Sequence, residues 1–168
     1  MDPFVEFRSQ FPVTERLVYL DHAAVAPLNT KVVQYVRAYL DELNKYCDFR
    51  YPDLPFRCLN QTRDEAAALL GTSPDHVFMT RSTTQGLGVA VTGLPLGEDD
   101  NVVIVEGEFP ANTLPWLGLR RRGVDVRMVP QRHGRVLLDD LAAAVDDHTA
   151  AVSVSFVQYL SGFRIDPG

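Results

Sequence analysis

The stretch of residues 77–94 limits most strongly what this chain can fold into. Its first four residues are short, apolar and rich in strand-forming side chains, which predicts a buried strand. Three hydroxyl residues follow, and small and apolar residues then recur with helical spacing as far as Leu94. The sequence therefore predicts a strand, a turn of hydroxyl side chains and a helix.

A helix that begins after such a turn suits an anion, above all a phosphate. Its first backbone N–H groups have no partner within the helix, and they carry the positive end of the helix dipole. Thr83 and Thr84 can cap this helix or donate to the same phosphate, while Gly86 and Gly88 allow backbone or ligand to approach closely. A capping role alone and a phosphate site both remain open at this point.

The composition excludes several classes of protein. The 168 residues suffice for a domain with a real core, and 46% apolar with 23% charged residues is typical of a globular chain. A net charge of −6 argues against a nucleic-acid or membrane partner. The sequence has no long apolar span, and its start does not resemble a signal peptide, so we expect a cytoplasmic protein. The two cysteines lack metal-ligand spacing, and we expect reduced thiols and no metal site.

The first 75 residues predict a helical segment with one short strand. Helices are predicted at residues 4–11, from 29 or 30 to beyond 43, and at 56–70, with a strand at 17–20 and a connector at 46–55. The side chains of residues 21–28 are too small for a core helix. They indicate a loop that lies close to another group, either protein or ligand. Within it, His22 can contact a ligand or serve only as a hydrogen-bonded structural residue.

Residues 76–168 alternate strands with helices. Further strands are predicted at 102–105, 124–129 and 150–157, with helices at 111–122 and from 139 or 140 to 145. This order predicts an α/β fold, a mainly parallel sheet with helices on both faces, in a domain distinct from residues 1–75. Ligands of such sheets bind beyond the carboxyl ends of the strands. The loops predicted to meet there are 81–86, 106–112 and 157–162.

Four motifs together resemble the class V aminotransferases, which are pyridoxal-phosphate enzymes of fold-type I. In chain order they are YLDHAAVAPL at 19–28, RSTTQ at 81–85, EFPANTLPW at 108–116 and VQYLSG at 157–162. The family includes cysteine desulfurases, isopenicillin-epimerase-like proteins and kynureninase. The likeness runs from about residue 11 to residue 166 and corresponds to the N-terminal part of the family's fold.

The resemblance implies a binding site for pyridoxal 5′-phosphate. Thr83 and Thr84, with the backbone N–H of Gln85, match the phosphate-binding turn. Phe109 stands where relatives stack an aromatic ring, often His, on the cofactor; a phenyl ring can stack but cannot exchange protons. Tyr159 stands where cysteine desulfurases have an Asn near the cofactor's 3-oxygen, and Tyr can still donate a hydrogen bond there.

The loop segment His22, Ala23 and Ala24 matches the substrate side of the family's site. The implied substrate is an amino-acid-like small molecule. The implied reaction is lyase, desulfurase, transaminase or epimerase chemistry.

The family also requires a Schiff-base lysine and a carboxylate beside the pyridine nitrogen. In relatives both come after the point that matches Asp166. Lys31 and Lys45 lie on the predicted early helix, so we expect no catalytic residue on this chain. Three explanations stay open: a truncated piece of an enzyme, a subunit of a split enzyme whose partner chain supplies the lysine, or a non-catalytic binding or assembly protein.

The joint survival of the phosphate turn and the stacking ring favours the two enzyme explanations. Since the family's sheet would be interrupted near Asp166, one face of it would be left uncovered. We expect a homo-oligomer or a second chain to cover that face. A nucleotide-binding α/β domain is a weaker alternative, because the sequence lacks both a Gly-x-Gly-x-x-Gly and a Walker motif at the required places.

Overall fold

The computed structural model describes residues 3–47 and 54–166. Most of the predicted connector at 46–55 lies outside these ranges. The chain divides between Phe78 and Met79 into two compact units, and the domain boundary near residue 75 stays a prediction. No helix within the described ranges is long and apolar enough to cross a membrane.

The first unit is helical. Its helices are α1 (Pro3–Ser9), α2 (Thr30–Tyr46) and α3 (Leu54–Leu70), with short 3₁₀ turns at Pro12–Glu15 and Pro74–His76. Asn29 caps α2, because its side-chain oxygen accepts from the N–H of Lys31 at 2.7 Å and its amide donates to Gln10 at 2.8 Å. Gly71, with φ of +67°, follows the end of α3. Both helix-end predictions are confirmed.

The second unit is a three-stranded parallel sheet with helices. In chain order it contains α4 (Thr83–Gly93), β1 (Asn101–Val105), α5 (Pro110–Leu117), a 3₁₀ turn (Gly118–Arg122), β2 (Asp125–Val129), α6 (Leu138–Ala144) and β3 (Thr149–Ser153). The strand order is β2-β1-β3, and β1 pairs parallel with both neighbours. The predicted fold class is confirmed.

The central strand β1 is buried on both faces. Val102 and Ile104 pack in one cluster with side chains of α4, α5 and β2, including Trp116. Val103 and Val105 pack in a second cluster with Leu141 of α6. The continuous apolar run of β1 therefore corresponds to a strand of a parallel sheet that helices cover on both faces.

Two predicted strands, 17–20 and 77–80, are wrong. Val77 has extended dihedrals, φ −105° and ψ 120°, but no described residue pairs with either segment in a ladder. Strand-forming side chains favour an extended backbone, whereas a sheet needs a hydrogen-bonded neighbour. The helix predicted at 111–122 continues past Leu117 only as a 3₁₀ turn, and β3 ends at Ser153 rather than near 157.

We expect Ile104→Ala to lower the free energy of unfolding by about 2–5 kcal/mol, because it deletes a fully buried side chain from the central strand. Val152→Ala is a suitable control, since Val152 is 48% exposed on β3 and should change stability by about 0.5 kcal/mol or less. Urea unfolding measures both. Equal losses in the two variants would contradict the central role of β1.

Candidate functional site

The start of α4 is organised by Ser82 rather than by the threonines. The Ser82 hydroxyl accepts from the N–H of Gln85 at 3.2 Å, and the Gln85 side chain accepts from the N–H of Arg81 at 2.9 Å. This is a variant of the reciprocal capping box. Capping by Thr83 or Thr84 is therefore wrong, because these residues occupy the first two helical positions. Both are exposed, and neither side chain hydrogen-bonds to another described residue.

The capping by Ser82 leaves donors available for an anion. The N–H groups of Thr83 and Thr84 have no acceptor within the helix, and both residues are exposed. Together with the dipole of the 11-residue helix, these donors suit the charge and chemistry of a phosphate. The N–H of Gln85, which was predicted as a third ligand, already donates to Ser82. An anion would have to share it.

A buried carboxylate lies beyond the carboxyl ends of β1 and β3. Glu108 is only 5% exposed. Its Oε1 accepts from the N–H of Ser155 at 2.6 Å and from Nε2 of Gln158 at 2.8 Å. Its Oε2 accepts from the Ser155 hydroxyl at 2.6 Å. One side chain from the loop after β1 thus holds the segment that follows β3.

The Glu108 network extends to all three strand ends. Gln158, which is 1% exposed, accepts through Oε1 from Nε2 of Gln131 at 3.0 Å, and Gln131 follows β2. Asn112 accepts from the Ser153 hydroxyl at 2.5 Å. The sequence offered one signal for this network, a carboxylate three residues after a buried strand in a loop predicted to reach the ligand edge. Its partners, however, lie 47 to 50 residues away along the chain.

Opposing effects set the pKa of Glu108. Burial raises it, but hydrogen bonds from the Ser155 side chain and backbone, and then from Gln158 and Asn112, outweigh burial and leave the pKa below its usual value. Glu108 is therefore ionised at neutral pH. It can accept several hydrogen bonds but cannot donate one.

Two predicted cofactor-binding rings meet at this edge of the sheet. Phe109 and Tyr159 pack edge to face, with centroids 5.3 Å apart and planes at 81°. Their exposed fractions are 53% and 54%, so each ring keeps a face or edge available to a ligand. Phe109 directly precedes α5, which packs against α4. The structure thus brings together two of the predicted site residues, from loops that sequence alone placed at one edge.

The predicted substrate-side residues lie in the first unit. His22, Ala23 and Ala24 are exposed in a turn. The His22 ring meets the Tyr19 ring edge to face at 5.4 Å, and His22 borders a mostly apolar cavity of about 600 Å³. Their role in substrate binding stays a prediction. Among the described residues, no group of three or more His, Cys, Asp or Glu side chains could hold a metal ion.

A model of the family "Aminotransferase class-V" matches residues 18–167. The chain belongs to this family. A probable cysteine desulfurase of Methanothermobacter thermautotrophicus is 32% identical over 164 residues, which are 94% of this chain and 40% of that protein. A cysteine desulfurase of Salmonella newport is 26% identical over 175 residues, covering 95% of this chain and 43% of that protein.

Two solved structures share the fold of this chain. The cysteine desulfurase CsdA from Escherichia coli superposes with a TM-score of 0.77 at 24% identity, covering 96% of this chain and 43% of CsdA. The cystine C-S lyase C-DES, in complex with its product cysteine persulfide, gives a TM-score of 0.82 at 20% identity, covering 94% of this chain and 43% of C-DES. The chain spans about two fifths of the length of the relatives it matches.

The ionised state of Glu108 predicts a pH-dependent stability. A carboxyl whose pKa is lower in the folded protein stabilises it fully above its unfolded pKa, and this contribution is lost as pH falls through the folded pKa. We expect the stability difference between wild type and Glu108→Gln to be largest near neutral pH and to shrink below about pH 4.5. Denaturant unfolding at several pH values measures it.

Glu106→Gln serves as the control for this titration, because the Glu106 side chain is exposed two residues earlier in the same loop. Its stability should follow the wild-type curve at each pH. A Glu108→Gln difference that stayed constant down to pH 3 would contradict the ionised, hydrogen-bonded state of Glu108.

Proposed function

We propose that this chain is the pyridoxal-phosphate-binding part of a class-V aminotransferase enzyme that acts on an amino-acid-like substrate. The observation that carries the proposal is the exposed Phe109–Tyr159 pair beyond the strand ends, in a unit whose helix α4 opens with unused threonine donors. A C-DES structure with a mutated lysine holds glycine covalently linked to its PLP cofactor. The named relatives favour desulfurase or related C–S lyase chemistry.

The residues of this chain fit the two ends of such a cofactor. The N–H and hydroxyl groups of Thr83 and Thr84 supply donors for the dianionic phosphate, with Gln85 sharing its N–H. The exposed surfaces of the Phe109 and Tyr159 rings, whose planes stand at 81° to each other, supply an apolar boundary for the pyridine ring and exclude water from it. The Tyr159 hydroxyl can donate a hydrogen bond to an oxygen on that ring.

When bound, pyridoxal phosphate supplies an electron sink for a bond broken at Cα or Cβ of an amino acid. In this proposal the described residues of the chain bind and orient the cofactor. His22, Ala23 and Ala24 contribute to binding the substrate. Lys31 and Lys45 both lie on α2, far along the chain from the carboxyl end of any strand of the sheet. We propose that the catalytic lysine is supplied from outside these 168 residues.

We also propose that this chain associates with a partner, either a second copy of itself or another polypeptide. Large apolar side chains of the first unit are strongly exposed, among them Val18 at 85% and Leu20 at 82%. Such patches favour association. We place the protein in the cytoplasm as part of the same proposal.

Binding of pyridoxal 5′-phosphate tests the proposed function. We expect the purified protein, with any polypeptide that co-purifies, to bind the cofactor, and the double variant Thr83→Ala, Thr84→Ala to raise the dissociation constant about tenfold or more. Absorbance titration measures it. The control is Thr92→Ala, because Thr92 lies near the other end of α4 and its hydroxyl donates to the Gly88 carbonyl at 2.8 Å.

The Thr92→Ala control should bind like wild type. If wild type itself bound no pyridoxal 5′-phosphate, the enzyme proposal would fail, and a non-catalytic binding or assembly protein with the same fold would be favoured. If the double variant bound as tightly as wild type, the phosphate would not be held at the start of α4.

A further inference from the structure

We propose that Glu108 is a positioning residue whose carboxylate holds the loop after β3 so that Tyr159 meets Phe109 at the ring side of the cofactor site. The inference rests on the proposed function, since the ring pair acts on a cofactor only if one binds. Glu108 itself does not touch the proposed ligand. It acts through the two rings.

The first support is the position in the sequence of the residues that contact Glu108. Glu108 directly precedes Phe109, and its partner Gln158 directly precedes Tyr159. The hydrogen bond from Gln158 Nε2 to the carboxylate therefore joins the two loops one residue before each ring. Ser155 adds its N–H and its hydroxyl to the same carboxylate. Three hydrogen bonds on one side chain thus fix how the two loops face each other.

The second support is that the loop after β3 is internally ordered but needs a tether. Gln158 donates its N–H to the Phe163 carbonyl at 2.8 Å and accepts from the Gly162 N–H at 2.8 Å, which closes a turn around Tyr159. The Ile165 N–H donates to the Phe156 carbonyl at 3.0 Å. These bonds shape the loop without attaching it to β1. Glu108 provides that attachment.

The third support is that packing alone does not place the rings. Phe109 and Tyr159 are both about half exposed, whereas Glu108 and Gln158, which precede them in the chain, are buried. A buried charge is unfavourable unless hydrogen bonds compensate it. A neutral residue would avoid that cost but could not accept three hydrogen bonds from neighbours on a distant loop.

Asp146 provides a matched control for Glu108. Its carboxylate also accepts several hydrogen bonds, from the Asn101 side chain at 2.8 Å, the His148 N–H at 2.9 Å and Arg127 at 2.7 Å. However, Asn101 is the first residue of β1, so Asp146 lies at the opposite edge of the sheet from the rings. Asp146→Asn makes the same chemical change as Glu108→Gln, away from the proposed site.

The experiment separates the ring end of the cofactor from its phosphate end. Dissociation constants for pyridoxal 5′-phosphate, and inhibition constants for inorganic phosphate as its competitor, are measured for the purified protein and both variants. In Glu108→Gln the Ser155 hydroxyl has to turn from donating to accepting if all three contacts are to persist, and bonds to a carboxylate become weaker bonds to a neutral amide, which loosens the loop. We expect a pyridoxal 5′-phosphate constant raised about tenfold and a phosphate constant within about twofold of wild type.

The absorbance maximum of the bound cofactor gives a second readout. It should shift in Glu108→Gln, because the ring surroundings change, and should not move in Asp146→Asn. If Glu108→Gln does not fold, Ser155→Ala replaces it. That variant removes one of the three hydrogen bonds and should give a smaller shift of the same kind.

The other possible outcomes distinguish a failure of the proposed function from a failure of the positioning role of Glu108. Wild-type protein that binds no pyridoxal 5′-phosphate, or binds it without competition from phosphate, overturns the proposed function and this inference with it. If wild type binds but Glu108→Gln, or its substitute, binds and absorbs like wild type, only the inference is overturned. Equal weakening for pyridoxal 5′-phosphate and inorganic phosphate shows a general structural role and also overturns it.

Discussion

The burial of β1 is the constraint on which the second unit depends. Its apolar residues, from Val102 to Val105, are fully buried, and each edge of the strand pairs with a parallel neighbour. A strand enclosed in this way gains from apolar burial on both faces. Because all three strands run in the same direction, the loops after them emerge at one edge. The ligand edge of the sheet thus follows from the apolar run that places β1 at the centre.

The Glu108 network is the polar consequence of that arrangement. Loops that converge over a sheet bring backbone and side-chain donors away from water, and those donors need acceptors. Glu108 meets this need for Ser155 and Gln158. The same contact explains why β3 ends early, because the Ser155 N–H donates to a carboxylate instead of continuing the ladder with β1. The site edge is therefore built by replacing sheet hydrogen bonds with bonds to a side chain.

Local sequence signals predicted the parts of this fold that local interactions determine. The cap at Asn29, the glycine after α3 and the three paired strands follow from residues close together in the chain. Strands at 17–20 and 77–80 were wrong, because pairing depends on neighbours that the local sequence does not contain. These segments show the limit of strand propensity as a signal.

The candidate site shows the same division. The loops 106–112 and 157–162 could be placed at one edge from the strand order, whereas the loop 81–86 was placed there through the strand 77–80 that the structure lacks. The choice among three adjacent hydroxyl residues at the start of α4 could not be made. Ser82 takes the cap because its backbone, at φ −162° and ψ 158°, is the last extended position before the helix begins. The side chains of Ser82, Thr83 and Thr84 offer similar chemistry, so only the path of the backbone distinguishes them. The position of Glu108 soon after a buried strand was a local signal, but its partners, about 50 positions away along the chain, could not be predicted from it.

In the proposed site, binding and bond breaking are separable tasks. The phosphate end depends on donors at the start of α4, and the ring end depends on two aromatic side chains held by Glu108. Neither part needs the lysine that the family uses for catalysis, since both act by hydrogen bonding and packing. Turnover would depend on every group at once and would not identify which part of this chain had failed. Affinities for the whole cofactor and for its phosphate alone, by contrast, measure separately the two ends that this chain contributes.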